Sequence, residues 1–145
     1  MVRLLSALIS LTGLFLLSFG ETISIKADKI LGNKKVVRYI GNVRVITDSG
    51  KRLYSNLLTI FFTKKGDILK ILATGHVIFK NGNYTAVGDE IIYLPSQHLV
   101  IIKGNATVKD SKGVIKGNEI FYNLLKKKFD VQGPVDSIFV IKNSN

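Results

Sequence analysis

The feature that most restricts the fold of this chain is a pair of short blocks recurring alternately along it. The first block reads Gly41-Asn42-Val43-Arg44-Val45, Gly75-His76-Val77-Ile78-Phe79, Gly104-Asn105-Ala106-Thr107-Val108 and Gly133-Pro134-Val135-Asp136-Ser137, its glycines 34, 29 and 29 residues apart. The second reads Ala27-Asp28-Lys29-Ile30, Gly88-Asp89-Glu90-Ile91-Ile92-Tyr93 and Gly117-Asn118-Glu119-Ile120-Phe121-Tyr122, with Gly88 and Gly117 again 29 apart. Ser55-Asn56-Leu57-Leu58-Thr59-Ile60 is a degenerate copy of it. A period of this length marks a supersecondary unit repeated along the chain.

Parity says what the unit is. Reading every second residue through each first-block glycine gives Val37, Tyr39, Gly41, Val43, Val45; Ile71, Ala73, Gly75, Val77, Phe79; Val100, Ile102, Gly104, Ala106, Val108; and Phe129, Val131, Gly133, Val135, Ser137. The opposite parity carries Arg38, Asn42, Arg44, Thr74, His76, Lys80, Lys103, Asn105, Thr107, Lys109, Asp130, Gln132 and Asp136. Alternation with period two and one apolar face predicts β-strands in half-exposed sheets. The first-block glycines share the inward parity, where glycine marks a bend or bulge rather than a turn. Gly88 and Ile91 are three apart, so the Gly-Asp step is read as a corner after which the inward face resumes. The first repeat is five residues longer than the others, and the corner is read as lost at Tyr54-Ser55-Asn56. Turns are expected at Asp48-Ser49-Gly50, Lys64-Lys65-Gly66-Asp67, Asn81-Gly82-Asn83, Pro95-Ser96 and Asp110-Ser111-Lys112-Gly113. Short, evenly spaced strands of this kind suit a sandwich, a jellyroll or a β-solenoid.

The first 20 residues read differently. Arg3 precedes an almost unbroken apolar run over 4–19, and Ser18 and Gly20 are small residues before a cut that leaves Glu21 first. This is the layout of a cleaved secretory signal peptide, with a retained anchor as the alternative; at 16 residues the run is short of the roughly 20 that span a bilayer. Residues 21–145 are then one domain. The whole chain carries +11; without Arg3 the balance is still 20 basic against 10 acidic side chains. Such a charge favours anionic partners. Export leaves a membrane surface or a phosphorylated lipid, and sets nucleic acid aside. With no cysteine there are no disulfides and no thiol chemistry.

Nothing in the sequence announces an enzyme. His76 stands where asparagine stands in two other copies, and His98 lies beside the Pro95-Ser96-Gln97 turn; neither has a partner at metal-ligand spacing. Asp28 and Asp89 recur at equivalent corners, but Asn118 takes the third. Asparagine copies the hydrogen-bonding shape of aspartate and not its basicity, which points to backbone bonding in a turn. No catalytic residue, metal or cofactor is expected.

The alternation of Gly-Asn-Val-x-Val with Ala/Gly-Asp-x-Ile-x-Tyr resembles the OstA-like domain of the LptA, LptC and LptD proteins of lipopolysaccharide transport. The opening Thr22-Ile23-Ser24-Ile25-Lys26-Ala27-Asp28 also looks like the start of that domain, and the resemblance covers residues 22–141. It implies an all-β, open, twisted β-jellyroll of many short antiparallel strands, with LptA the nearest branch. It also implies a periplasmic protein that binds lipopolysaccharide, shields its lipid A acyl chains during outer-membrane assembly, and stacks head to tail with copies of itself and with LptC-like and LptD-like domains. Alternatives are an LptC-like anchored accessory and a polymerising β-solenoid that binds no lipid.

On this reading the lipid groove is lined by Ile23, Ile25, Val43, Val45, Val77, Phe79, Ile91, Tyr93, Ala106, Val108, Ile120, Tyr122, Phe129 and Val131. The same side chains would equally serve an ordinary filled core. The edge strands are expected over 22–27 and 137–142, with Ile138, Phe139, Val140 and Ile141 forming the oligomer edge. The latter stretch has strong β-formers, no proline or glycine, and would be an aggregation hazard unless used.

Overall fold

A computed structural model describes residues 22–141; the proposed signal peptide and its cut site lie outside the described residues. Ten strands form one sheet: β1 (Ile23–Lys26), β2 (Lys29–Gly32), β3 (Val36–Thr47), β4 (Arg52–Phe62), β5 (Ile68–Asn81), β6 (Tyr84–Leu94), β7 (Leu99–Lys109), β8 (Gly113–Asn123), β9 (Lys128–Gln132) and β10 (Asp136–Phe139). From β3 to β8 each strand pairs with the next. At one end β1 and β2 lie end to end along β3, and at the other β9 and β10 lie end to end along β8. Every ladder is antiparallel. That rules against the β-solenoid, whose successive coils pair in parallel.

The repeated blocks build the bend in this sheet. Pairing breaks at Ile40/Val43, Thr74/Val77 and Lys103/Ala106, so that two residues of one strand face one of the next. Gly41-Asn42 faces Asn56, Gly75-His76 faces Asp89, and Gly104-Asn105 faces Asn118. Both residues of each pair are left-handed, with φ near +80° at the glycine and near +48° at the asparagine or histidine. Two such residues in succession swing the chain through a corner, and asparagine tolerates the second position better than most side chains do. Each acidic or amide residue then lays its side chain over the glycine on its other flank: Asp28 on Gly41, Asn56 on Gly75, Asp89 on Gly104 and Asn118 on Gly133. A Cβ at Gly75 would stand 2.6 Å from Asn56 Nδ2 and 2.7 Å from its Cβ, so any larger residue would force the two strands to shift. The two sequence blocks are therefore alternate members of one line running across the sheet. Asp28 adds a backbone bond to Gly41 O (2.9 Å) and accepts one from Asn42 Nδ2 (2.9 Å).

This line divides the sheet into two arms. The first holds β1, β10, the later halves of β3, β5 and β7, and the earlier halves of β4, β6 and β8; the second holds β2, β9 and the remaining halves. Val45, Phe79 and Val108 of the first arm share one apolar cluster with Ile71, Ile91, Ile102 and Tyr122 of the second. The arms thus face each other around a common interior, as an open jellyroll requires. The predicted parity holds on both sides of the bend in the first three copies, whereas Val135 and Ser137 of the fourth, expected inward, are exposed; the frame shift from Gly88 to Ile91 is where it was expected.

Two expectations change, and the extra length of the first repeat finds its place. The corner at residues 54–56 is kept, because Ser55 is buried in the place of Gly88 and Asn56 covers Gly75 as Asp89 covers Gly104. The five extra residues of the first repeat fall outside the bend: two in the 48–51 connection against 82–83, one in 63–67 against 95–98, and two in the longer arm of β5 before Gly75. The edge strands are shorter than expected, at Ile23–Lys26 and Asp136–Phe139, and each edge is doubled by a second strand, β2 or β9, beyond the bend.

Candidate functional site

The interior between the arms is built from rows of paired inward residues. In the first arm, one row runs Ile25, Val45, Leu53, Phe79, Ala86, Val108, Ile115 and Ser137. In the second, one runs Ile30, Tyr39, Leu58, Ala73, Ile91, Ile102, Ile120 and Val131, and another Val37, Ile60, Ile71, Tyr93, Val100, Tyr122 and Phe129. Each row crosses the whole sheet. Antiparallel strands put directly opposite side chains about 4.5–5.5 Å apart, close enough to make each row a continuous apolar strip.

Ten of the fourteen expected lining residues are buried here: Val43, Val45, Val77, Phe79, Ile91, Tyr93, Ala106, Val108, Ile120 and Tyr122. Ile23, Ile25, Phe129 and Val131 are half-buried, the first pair at one end of the interior and the second at the other. Leu53, Leu58, Ala86 and Ile115 belong to the same surface and were missed. Their signal was present: Leu53, two before Ser55, and Leu58, three after it, repeat the spacing of Ala86 and Ile91 around Gly88.

Both ends of the interior are open. At the first, Ile25, Ala27, Ile30 and Tyr39, with Lys26, Asp28 and Lys29, line a shallow depression of about 490 Å³. At the second, Val135, Ile138, Phe139, Val140 and Ile141 are all exposed, Ile138 on the outer face with its partner Val114. β10 does turn one flank to β8, and Val140 N–H donates to Lys112 O at 2.8 Å. By the alternation of an antiparallel ladder, Ile138 and Asp136 point the same way. The donors on the outer flank are then those of Ser137 and Phe139, unpaired among the described residues.

Polar groups are few inside. Tyr122 OH is buried without a hydrogen-bond partner among the described residues. Burial pushes the phenols of Tyr93 and Tyr122 above their ordinary value. Asp110 caps the β7–β8 turn, its Oδ1 accepting from Lys112 N (2.7 Å) and Gly113 N (3.0 Å). The outer face of the first arm is basic, with Lys26, Arg44, Arg52, Lys80, Lys109 and Lys116 on its two outward rows and Asp136 as the acid among them. No three His, Asp or Glu side chains gather at a metal-holding spacing among the described residues.

The family model described as LptA/(LptD N-terminal domain) LPS transport protein matches residues 22–128. The chain belongs to this family. The matched span runs from β1 to the start of β9, so it takes in every corner of the bend except that at Gly133. Among solved structures, the LptA/LptD-type fold is seen in LptH of Pseudomonas aeruginosa, described as the LptA-homologous periplasmic component of the conserved lipopolysaccharide transport device. That structure aligns with a TM-score of 0.69 at 18% identity, covering 83% of this chain and 96% of the other. No curated protein matches the chain. The family is one of transport proteins, and the expectation of a lipopolysaccharide-transport domain of LptA type is met at the level of family and fold.

Proposed function

We propose that this protein is a periplasmic carrier of lipopolysaccharide, exported by a signal peptide cut after Gly20, which shields acyl chains between its two arms and passes them along stacked domains. One observation carries the reading. The inward apolar rows do not close at the ends of the sheet but run out into half-exposed Ile23, Ile25, Phe129 and Val131, beside strands with unpaired outer flanks. A self-sufficient core would cap those ends with polar side chains. A path meant to continue into a neighbouring domain would leave apolar side chains there, as these four are. Entry of a lipid then requires the arms to part, with acyl methylenes replacing the contacts between them at about 0.8 kcal/mol per buried methylene. Stacking would join the Ile23–Lys26 edge of one copy to the Asp136–Phe139 edge of the next, through Ile138, Phe139, Val140 and Ile141. Because the two edges differ, such contacts do not close by twofold symmetry and give rods. LptC-like and LptD-like domains would engage the same two edges.

A photo-crosslinking residue at Phe79 or Tyr93 should capture lipopolysaccharide in the native host, whereas one at outward Arg44 should not. Equal capture at all three positions would refute the assignment of faces. N-terminal sequencing of exported protein should begin at Glu21; intact Met1 in the inner membrane would instead favour an anchored accessory.

A further inference from the structure

The two free rims of the jellyroll differ sharply in charge. Because the sheet is a meander, the turns at 33–35, 63–67, 95–98 and 124–127 all fall on the rim of the second arm, and those at 48–51, 82–83 and 110–112 on the rim of the first. The second rim carries Lys34, Lys35, Lys64, Lys65, Lys126 and Lys127 against Asp67, a net +5. The first carries Lys51 and Lys112 against Asp48 and Asp110, a net of zero. All six lysines of the second rim are exposed, and none enters an ion pair among the described residues.

Their turns are fixed rather than loose. Asn33 Oδ1 accepts from Lys35 N (2.8 Å) and Val36 N (3.0 Å), and Asn123 Oδ1 accepts from Leu125 N (3.1 Å) and Lys126 N (2.9 Å). Thr63 Oγ1 accepts from Asp67 N (3.2 Å), with Gly66 left-handed beside it. Neighbouring turns lie two strands apart, about 9.6 Å at the usual strand spacing. Three of the four positions along this rim therefore present a lysine pair, the 95–98 turn between the second and the third pair having none.

We infer that this rim is a track for the phosphate groups of the carried lipid. The inference rests on the carrier reading above. An amphiphile with its tails between the arms must leave its head outside, and the rims lie across the interior from the bend. Of the two sets of turns, only those of the second rim carry a net positive charge to offer an anionic head. Lysine suits such a track because each ammonium is a flexible point charge that can be exchanged for the next as the ligand advances.

The test uses the mature protein, a diphosphorylated acylated glucosamine disaccharide, and the same lipid without its phosphates, with binding followed by displacement of a fluorescent fatty acid. An exposed ion pair contributes at most about fivefold in affinity, so two phosphates give on the order of tenfold. Wild type should prefer the phosphorylated lipid by that factor, and the preference should shrink in high salt. Changing all six rim lysines to glutamine should abolish the preference while leaving affinity for the phosphate-free lipid unchanged. Lys51→Gln with Lys112→Gln should do nothing. Unchanged thermal melts will show that the capped turns survive, and Lys126→Glu with Lys127→Glu, which leaves the other two turns intact, should give a partial loss. Equal binding of both lipids by wild type, or a preference that persists in the six-lysine variant, overturns the track. Loss of sedimentation with anionic vesicles without loss of the lipid preference assigns the rim to a membrane surface and also overturns it. Competition by millimolar inorganic phosphate equal to that of the lipid reduces the rim to a general anion site and overturns it too. If wild type binds neither lipid, the carrier reading itself fails.

Discussion

Replacing Gly75 with alanine separates the two demands that the bend makes on its glycines. The first is conformational: at φ +83° an L-residue is strained by about 1–2 kcal/mol, offset by about 0.4–1 kcal/mol from the stiffer unfolded chain. Gly82, in the β5–β6 turn at φ +59°, makes the same demand, but a Cβ there meets nothing within 4 Å. The second demand is steric and belongs to the corner alone. A Cβ on Gly75 would lie 2.6 Å from Asn56 Nδ2 and 2.7 Å from its Cβ, both far inside van der Waals contact. Relief requires moving β4 against β5, and overpacking of this kind costs about 1–3 kcal/mol. Gly82→Ala should therefore destabilise by about 0–1.6 kcal/mol, and Gly75→Ala by about 1–3 kcal/mol more than that. Urea denaturation with an unchanged m-value measures both. Adding Asn56→Gly removes all three atoms nearest the new Cβ, so the double variant should recover at least about 1 kcal/mol relative to additivity. If Gly75→Ala proves no worse than Gly82→Ala, or the cycle shows no coupling, the packed line across the bend is not what holds the corner.

Other outcomes follow from the interior and the edges. Tyr122→Phe removes a buried hydroxyl that lacks a partner, and should stabilise the lipid-free protein by about 1–3 kcal/mol, read as a rise of several degrees in Tm; a fall would mean the hydroxyl is bonded. The raised phenols of Tyr93 and Tyr122 keep protons in the native state that the unfolded chain surrenders. Their contribution is full below about pH 10 and is lost as pH rises through the raised native values, so base-induced unfolding should flatten in the double phenylalanine variant; an unaltered profile would contradict this. Phe79→Ala should cost about 3–5 kcal/mol in urea melts, given its near-complete burial at 1% exposure, and a loss under 1 kcal/mol would place it outside the packed core. Phe139→Pro, which deletes an outward ladder donor, should weaken concentration-dependent self-association in light scattering without a matching fall in Tm; Val140→Pro breaks an internal bond to Lys112 and should lower Tm as well.

The faces of the strands were legible because alternation is local: Val43 and Val45, or Phe129 and Val131, declare their side of the sheet within a few residues. The corner was half legible. Gly75 could be placed at a bend from sequence, but its partner Asn56 lies on the preceding strand, and the register that joins them is a long-range fact. For the same reason Ser55-Asn56 was misjudged. The corner asks for a small inward residue and a short polar side chain, and serine with asparagine meets that as well as glycine with aspartate does. The lysine rim was invisible, since Lys34, Lys64 and Lys126 are scattered along the chain and meet only when turns alternate between rims. The turns at 33–35 and 124–127 escaped notice because they contain no glycine or proline, so β2 was not set apart from β3, nor β9 from β8.

The line of corner residues has one further consequence. Each member touches only the strand before and the strand after, so the 29-residue unit from Gly75 to Gly104 behaves as a cassette with the same connector at both ends. Adding a cassette would lengthen the molecule by two strands, about 9.6 Å, without altering either terminal edge. Stability would grow by nearest-neighbour increments, as in other modular arrays. The distance covered by one polypeptide can thus change through duplication of a short stretch of gene, independently of how many polypeptides are laid end to end.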